Sequence, residues 1–173
     1  MSEILLIGGN GYIGSRLQQS LDVDVVDTNW FSDEGSGEDF KDLTSKHYDD
    51  YDTVILLAGH SSVKMSEGNL NSCFNNNVRN FIDLIEKLDG QRLIYASSSS
   101  VYGSVGGKTV NEKYYGFEPY NQYDISKHTA DLYAQKSDVE YYGLRFGTVN
   151  GCSPVLRTDV MINAMVNLSL IHI

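Results

Sequence analysis

Short apolar runs alternate with longer segments of mixed polarity along the chain. This pattern predicts strands at 3–8, 23–27, 53–58, 91–97 and 140–146, and helices near 12–20, 68–88 and 122–137. Strands that alternate with helices favour a parallel sheet, and right-handed crossovers then place helices on both faces. The predicted fold class is therefore α/β, with a doubly wound parallel sheet.

Composition and charge narrow the functional classes. The 173 residues carry a net charge of −10, and 41% of them are hydrophobic, which is ordinary for one soluble domain. The acidic balance disfavours nucleic acid and anionic membranes as partners, because both need basic patches. The apolar runs are too short to span a membrane, and the first strand begins too early for a signal peptide. Neither a membrane partner nor secretion is expected.

Cysteine and histidine usage points to a reduced compartment. Cys73 and Cys152 are far apart and form no Cys-x-x-Cys motif, and the four histidines show no ligand spacing. A cytoplasmic protein without a metal site is therefore expected.

Glycines spaced Gly-x-x-Gly-x-x-Gly follow the first predicted strand and lead into a helical segment. This strand–turn–helix context is typical of a Rossmann-type loop that cradles the pyrophosphate of a dinucleotide. Gly8 would allow the tight turn, Gly11 the close approach of backbone to phosphate, and Gly14 the packing of the helix against the strand. The helix N-terminus would then face the phosphates with free N–H groups. The alternative is a glycine turn that serves only a tight bend.

Acidic residues follow the next strands. Asp27 ends the second strand, where a carboxylate can accept hydrogen bonds from the adenosine ribose, or is simply a solvated strand end. It would repel a 2′-phosphate, so NAD is favoured over NADP. Its short distance from Gly14 requires a short first helix. Asp42, beside Leu43, is expected at the end of a further strand, where it could bind the adenine amino group. A helix-capping aspartate is the alternative.

Tyr123 and Lys127 stand four residues apart, on one face of a predicted helix. A nearby ammonium and a nicotinium charge would favour the phenolate of Tyr123, which could then accept or return the proton of an alcohol. The spacing alone is a weak signal in a chain with 12 tyrosines. The preceding strand ends in hydroxyls, however, and Ser98 could bind both a substrate oxygen and the phenol. Ser99 and Ser100 are interpreted as a plain loop.

Together these motifs resemble the NAD-dependent epimerase/dehydratase family of extended short-chain dehydrogenases/reductases, which includes the nucleotide-sugar 4-epimerases. The resemblance runs from Glu3 to about Val166. It rests on the glycine loop, Asp27, the Leu-Ala-Gly end of the fourth strand, Asn77-Val78, Ser-Ser-x-x-Val-Tyr-Gly, Tyr-x-x-x-Lys and Leu144-Arg145-Phe146, all in family order.

The resemblance implies a catalytic set of Ser98, Tyr123 and Lys127, with Lys127 on the nicotinamide ribose. Phe146, just past the sixth strand of the family, would lie near the nicotinamide. Motifs and resemblance together assign NAD contacts to Gly8, Gly11, Tyr12, Ile13, Gly14, Asp27, Asp42, Leu43, Leu57, Ala58, Gly59, Asn77, Tyr123, Lys127 and Phe146.

The implied function is an NAD-dependent nucleotide-sugar epimerase, which oxidises a sugar hydroxyl transiently and then returns the hydride. The alternatives are an NAD(P)-dependent reductase or dehydrogenase of a sugar or other small carbonyl compound, and a non-catalytic dinucleotide-binding protein. Ser99 and Ser100 stand where related dehydratases carry Asp-Glu, which argues against a 4,6-dehydratase. His60 replaces a lysine of many epimerases and is interpreted as a hydrogen-bonded loop histidine. The resemblance also implies a homodimer through the helix near 68–88 and the Tyr–Lys helix.

The C-terminal substrate-binding part of the family is expected to be largely missing. Residues 1–150 are predicted to form the NAD-binding domain and residues 151–167 the start of the substrate-binding region. Residues 168–173 match the translation of a transposon-end adapter, so a non-native tail is expected, with a natural apolar helix end as the alternative. A missing substrate part would leave apolar surface exposed.

Overall fold

The computed structural model describes residues 2–28, 37–114, 116 and 118–172, with the backbone alone at 171 and 172. The strands are β1 (Ile4–Ile7), β2 (Asp24–Val26), β3 (Thr53–Leu56), β4 (Arg92–Ser98) and β5 (Tyr141–Phe146). Within the described residues they form one parallel sheet in the order β2-β1-β3-β4-β5. The parallel sheet is confirmed, and each strand begins and ends within two residues of its prediction.

The helices differ more from the predicted pattern. They are α1 (Tyr12–Leu17), α2 (Val63–Gly68), α3 (Leu70–Phe74), α4 (Asn80–Ile85), α5 (Gln122–Lys136) and α6 (Met161–His172). The first helix is short, as the position of Asp27 required. The helix predicted near 68–88 consists of α3 and α4, joined by a π-helical turn at Asn75–Arg79. Its start is set by Asn69, whose side chain accepts a hydrogen bond from the N–H of Ser72 at 3.0 Å.

Helix α5 carries the predicted tyrosine and lysine. It starts at an Asn121 cap, whose side chain accepts from the N–H of Asp124 at 2.9 Å. Ala130 and Ala134 are buried on the face that packs on the sheet, and Tyr123 lies on the same helix seven residues before Ala130. Small residues at helical spacing let the helix lie close to β4, which fixes the position of Tyr123.

The hydrophobic core lies between the sheet and helices α4 and α5. Alternate residues of β1, β3 and β4 point into it: Leu5, Ile7, Val54, Leu56, Leu93 and Tyr95. The rings of Phe81 and Tyr95 meet edge to face at 4.8 Å. Each such buried side chain stabilises the fold by about 1.5–3 kcal/mol. The carboxyl ends of the strands are thereby held rigidly at one edge.

The strand order reverses between β1 and β3. Right-handed crossovers therefore place α1 on the face of the sheet opposite to α4 and α5, which confirms the doubly wound arrangement. A crevice opens at such a reversal, beyond the carboxyl ends of the two strands, and ligands of open α/β sheets bind there.

The prediction of a strand that ends at Asp42 is wrong. Described residues 37–52 form two short 3-10 turns, Phe40–Asp42 and Ser45–His47, and contain no strand. Phe40 and Leu43, three residues apart, are both buried in the core, and this helical spacing suits a turn rather than an extended chain. The turn is capped by Asp39, not by Asp42. Residues 29–36, which include most of the polar patch before this turn, lie outside the described residues.

Apolar side chains face solvent on the C-terminal helix and the last strand. Residues 168–172, predicted as a tail, continue the helix α6 that begins at Met161. The exposed apolar residues there and on β5 are Met161, Met165, Val166, Leu168, Leu170, Tyr142 and Leu144. Among the described residues, no helix has the length and apolar character needed to cross a bilayer.

Candidate active site

The glycine turn after β1 is held tightly against its neighbours. Gly8 has a φ of +88°, and a Cβ placed on it would lie 2.4 Å from the backbone nitrogen of Ala58. A Cβ on Gly14 would lie 2.4 Å from the Gly8 carbonyl oxygen, so α1 packs on the turn itself rather than on the strand. Around Gly11, by contrast, the Gly8 carbonyl at 3.5 Å is the one described contact within 4 Å. The open space there fits a phosphate that approaches the backbone.

The start of α1 and the end of β2 flank this turn. Gly11 caps α1 without a side-chain hydrogen bond, which leaves the first N–H groups, those of Tyr12 and Ile13, suited to an anion. Asp27 accepts a hydrogen bond from the N–H of Asn10 at 2.7 Å. Burial raises the pKa of Asp27, while backbone hydrogen bonds, including that of Asn10, act in the opposite direction. The structure thus brings the predicted ribose acceptor to the rim of the glycine turn.

The segment after β3 forms the other wall of the crevice. The N–H groups of Leu57 and Ala58 donate to the carbonyl of Ile7, at 2.8 and 3.2 Å. Gly59 has a φ of +132°, and a Cβ on it would lie 2.6 Å from Oδ1 of Asn77. The residues predicted to contact NAD after β1 and those after β3 therefore lie side by side at the carboxyl ends of these two strands.

Asn77 links this wall to helix α5 through hydrogen bonds. It lies in the π-helical turn, is 5% exposed, and accepts from the N–H of His60 at 2.9 Å. Its Nδ2 donates to the His60 carbonyl and to Oγ of Ser126, both at 3.1 Å, and Ser126 donates to the Tyr123 carbonyl at 2.8 Å. Burial, with a smaller effect of Lys127, lowers the pKa of His60. His60 is a hydrogen-bonded loop residue, as interpreted from the sequence.

Ser98 and Tyr123 are brought together. Ser98 ends β4 and caps the 3-10 turn Ser99–Tyr102 by accepting from the N–H of Ser100 at 3.2 Å. Its hydroxyl also donates to that of Ser100 at 2.9 Å, and its polar interaction with the Tyr123 hydroxyl lowers the pKa of that phenol. Ser100 is therefore not a plain loop residue, because it orients the serine that contacts the phenol.

The charge state of Tyr123 follows mainly from burial, which raises the pKa of its hydroxyl. The hydrogen bond from Ser98 and the charge of Arg157 act in the opposite direction, and Asp124 adds to the rise. The Lys127 ammonium lies 5.9 Å from the Tyr123 ring centroid. In the chain alone the pKa of Tyr123 is raised, because desolvation of the phenolate outweighs the favourable contacts.

Lys127 is anchored on the neighbouring strand. Its Nζ donates to the Ala96 carbonyl at 2.9 Å, and desolvation lowers its pKa to about 8, with Asp131 opposing. An ammonium has three donors, so it can also bind ribose hydroxyls.

The remaining predicted residues fall partly elsewhere. Phe146 was expected just past a sixth strand, but it is the last residue of β5, the fifth strand among the described residues. It pairs in register with Ser98 at the carboxyl edge of the sheet. Leu43 is buried in the core, and Asp42 is exposed on its 3-10 turn. Among the described residues, no group of three or more His, Cys, Asp or Glu side chains could hold a metal ion.

Sequence reasoning missed three residues of the site. Ser126 stands three positions after Tyr123, so its helical spacing could have placed it on the buried face. Cys73 is buried against Ser126, with its Sγ 3.8 Å from the serine Oγ. Arg157 lies outside every motif, and no sequence signal marks it.

Residues 4–166 match the sequence profile of the NAD dependent epimerase/dehydratase family. The chain belongs to this family. Membership confirms the family predicted from the motifs and NAD as its cofactor.

The similar proteins include two that are named as UDP-sugar 4-epimerases. Protein CapI of Staphylococcus aureus is 28% identical over 86% of this chain and 54% of CapI. The UDP-glucose 4-epimerase of Streptococcus mutans is 25% identical over 87% of this chain and 53% of that protein. The structure of a UDP-glucuronic acid 4-epimerase from Bacillus cereus, solved with UDP-glucuronic acid and NAD, matches with a TM-score of 0.78 at 26% identity. The match covers 96% of this chain and 62% of the epimerase chain. The chain spans about half the length of the two curated relatives.

Proposed function

We propose that the protein containing this chain is an NAD-dependent nucleotide-sugar epimerase. The observation that carries the proposal is the meeting of Ser98, Tyr123 and Lys127 at the carboxyl edge of the sheet, beside the crevice between β1 and β3. Two of the similar proteins above bear the name of UDP-sugar 4-epimerases, which supports a nucleotide-sugar substrate.

The glycine turn suits the diphosphate of NAD, because the space around Gly11 is open and the N–H groups at the start of α1 are uncapped. Asp27 at the rim of the turn would accept from the ribose hydroxyls and repel a 2′-phosphate. Lys127, held by the Ala96 carbonyl, would donate to the second ribose. Bound NAD would supply the acceptor, and later the donor, of a hydride.

The chain's own residues would handle the proton. Tyr123 takes the proton of a sugar hydroxyl as a general base and returns it after the sugar has presented its other face. Ser98 holds the sugar oxygen within reach of the phenol through the hydrogen bonds that already orient it. Burial excludes water from the phenol, which favours proton exchange with the substrate over exchange with solvent.

Ser99 and Ser100 argue for epimerisation over water elimination. Neither carries a carboxylate that could act as the acid or base of a dehydratase, and Ser100 is already engaged with Ser98. We further propose that residues 1–150 form the cofactor-binding unit and that residues 151–167 begin the substrate-binding region. The homodimer implied by the family stays a prediction.

The test compares Tyr123→Phe with Tyr142→Phe, a change at a 51% exposed position on β5. UDP-glucuronic acid and UDP-glucose serve as probe substrates, NMR reads the configuration at each sugar carbon, and calorimetry reads NAD binding. We expect Tyr123→Phe to abolish turnover and keep NAD affinity, with Tyr142→Phe unchanged in both. Full activity of Tyr123→Phe would refute the assignment. A net change in nicotinamide absorbance during turnover would instead indicate a reductase or dehydrogenase, because epimerisation is redox-neutral.

A further inference from the structure

The segment between β5 and α6 joins the two walls of the crevice. We call residues 151–157 the strap. At its start the Tyr12 hydroxyl donates to the Gly151 carbonyl at 2.8 Å, and at its end Nη1 of Arg157 donates to Oγ of Ser61 at 3.1 Å. Tyr12 begins α1, after β1, and Ser61 lies in the segment after β3. The strap therefore passes from one wall to the other at the strand-order reversal.

Ser153 gives the strap a second anchor on the wall of the glycine turn. Its hydroxyl donates to the Tyr12 carbonyl at 2.6 Å and lies 2.8 Å from Oγ of Ser15. The N–H of Val155 donates to the same hydroxyl at 3.3 Å. Since Tyr12 and Ser15 are three residues apart on α1, the strap is held against one face of that helix.

Asn163, on α6, ties both ends of the strap together. It is 7% exposed, and its Oδ1 accepts from the N–H of Gly151 at 3.0 Å. Its Nδ2 donates to the Tyr12 hydroxyl and to the Arg157 carbonyl, both at 2.9 Å. A side-chain amide has two N–H donors, so both are used here. One buried side chain thus fixes the backbone at either end of the strap.

The anchors of the strap stand directly beside the groups that suit NAD. Gly11, with open space around it, precedes Tyr12, and Gly59 stands two residues before Ser61. A dinucleotide bound along both walls would therefore lie between the sheet edge and the strap.

We propose that the strap is a latch on the cofactor crevice, and that Asn163 is the side chain that keeps it closed. The inference rests on the proposed function for the identity of the group retained. The hydrogen bonds of Asn163 are made away from water, so they stabilise the closed strap more than solvated contacts would. A dinucleotide leaves such a crevice only when the strap opens, so the hydrogen bonds that hold the strap set the rate of release.

A latch suits a redox-neutral reaction. An oxidised sugar can be reduced again only if the hydride taken from it is still in the same crevice. A reductase or dehydrogenase must instead exchange its cofactor in every turnover. Retention by the strap therefore favours the epimerase over that alternative.

The test measures how fast NADH leaves the crevice. The full chain is loaded with NADH and mixed with an excess of NAD, and the fall in nicotinamide fluorescence gives the dissociation rate. Asn163→Ala removes three hydrogen bonds of the closed strap and should raise this rate about tenfold. Tyr12→Phe keeps the ring and the backbone N–H but removes the hydroxyl, and should also raise it. Asn167→Ala, at an exposed position one turn further along α6, is the matched control and should leave the rate unchanged.

A second measurement needs no cofactor. Hydrogen exchange of the Gly151 N–H reports opening of the strap, and Tyr12→Phe leaves the acceptor of this N–H, Oδ1 of Asn163, in place. Exchange at Gly151 should be faster in Tyr12→Phe, while exchange in β3 and β4 should not change. A general loss of stability would instead speed exchange in the strands as well.

Equal NADH dissociation rates in Asn163→Ala and Asn167→Ala would overturn the proposal. Should Asn163→Ala fail to fold, Tyr12→Phe decides alone, and faster exchange at Gly151 with unchanged NADH release would overturn the latch. Both measurements omit the sugar substrate. A chain that retains NADH behind the strap but does not epimerise would therefore refute the proposed function alone, whereas no NADH binding by the unchanged chain would overturn both.

Discussion

Replacing Asn77 by alanine should destabilise the protein by more than the loss of one hydrogen bond would. Asn77 accepts from the N–H of His60 and donates to the His60 carbonyl and to Ser126. The change removes these three hydrogen bonds at a site that is 5% exposed, where water replaces them poorly. It also removes the atom against which Gly59 packs.

The magnitude follows from the contacts. Each hydrogen bond contributes about 1 kcal/mol net, and buried partners left unpaired add to the loss, so about 3 kcal/mol is expected. At this chain length 1 kcal/mol corresponds to roughly 2–4 °C in the unfolding midpoint. Asn77→Ala should therefore lower Tm by about 6–12 °C. Ser126→Ala removes one of these three bonds and also the bond that Ser126 donates to the Tyr123 carbonyl, so a loss of about 2 kcal/mol is expected.

Asn75→Ala is the matched control, because Asn75 lies in the same π-helical turn and is exposed. Thermal unfolding followed by circular dichroism compares the variants, and the double variant of Asn77 and Ser126 tests the coupling. Its loss should be smaller than the sum of the two single losses, since both remove the same bond. An Asn77→Ala protein as stable as Asn75→Ala, or strict additivity, would refute the network.

Two further changes test the turn and the loop histidine. Gly14→Ala should weaken NAD binding, measured by calorimetry, because its Cβ would lie 2.4 Å from a carbonyl oxygen of the turn. Gly68→Ala is the control and should leave NAD binding unchanged, because a Cβ there meets nothing within 4 Å. Equal NAD affinity in the two variants would contradict the close packing at Gly14. Because the pKa of His60 is lowered below 6.5 in the folded state, the unfolded chain binds the proton more readily, so the free energy of unfolding should fall as pH drops from about 7 to 5. Urea titrations should show that the free energy of unfolding falls less steeply with pH in His60→Gln than in the unchanged protein. His47→Gln, at an exposed position, is the control. An identical pH dependence in His60→Gln and the unchanged protein would rule out this contribution.

The sheet was predictable because continuous apolar runs are unambiguous when a strand is buried on both faces. The bounds of β1 and β3 agree with prediction to within two residues for this reason, whereas β2 and β5 are partly exposed edge strands whose bounds agree equally well. The turn at Gly8 was predictable because glycines that separate a buried strand from a helical segment indicate a tight turn, and Gly8 has a φ of +88°. The spacing of Tyr123 and Lys127 also carried over directly, since helical periodicity alone places both on one face.

What failed depends on contacts between distant segments. The strand expected before Asp42 is a 3-10 turn, because Phe40 and Leu43 both reach the core only when the chain is coiled. Arg157 contacts Ser61, 96 residues earlier in the chain, which local sequence spacing does not report.

The π-helical turn at Asn75–Arg79 has a consequence for the register of the chain. A π-helical turn holds one residue more than an α-helical turn, so every side chain after it is rotated by about 100° relative to an unbroken α-helix. Asn77 points to the loop after β3, whereas Phe81 and Leu84 point to the core, and both orientations are met only with the extra residue present. Deleting a single residue between Asn75 and Arg79 would force a choice between the two faces. The one extra residue of this turn therefore sets how the side chains on the crevice wall are oriented relative to those in the core.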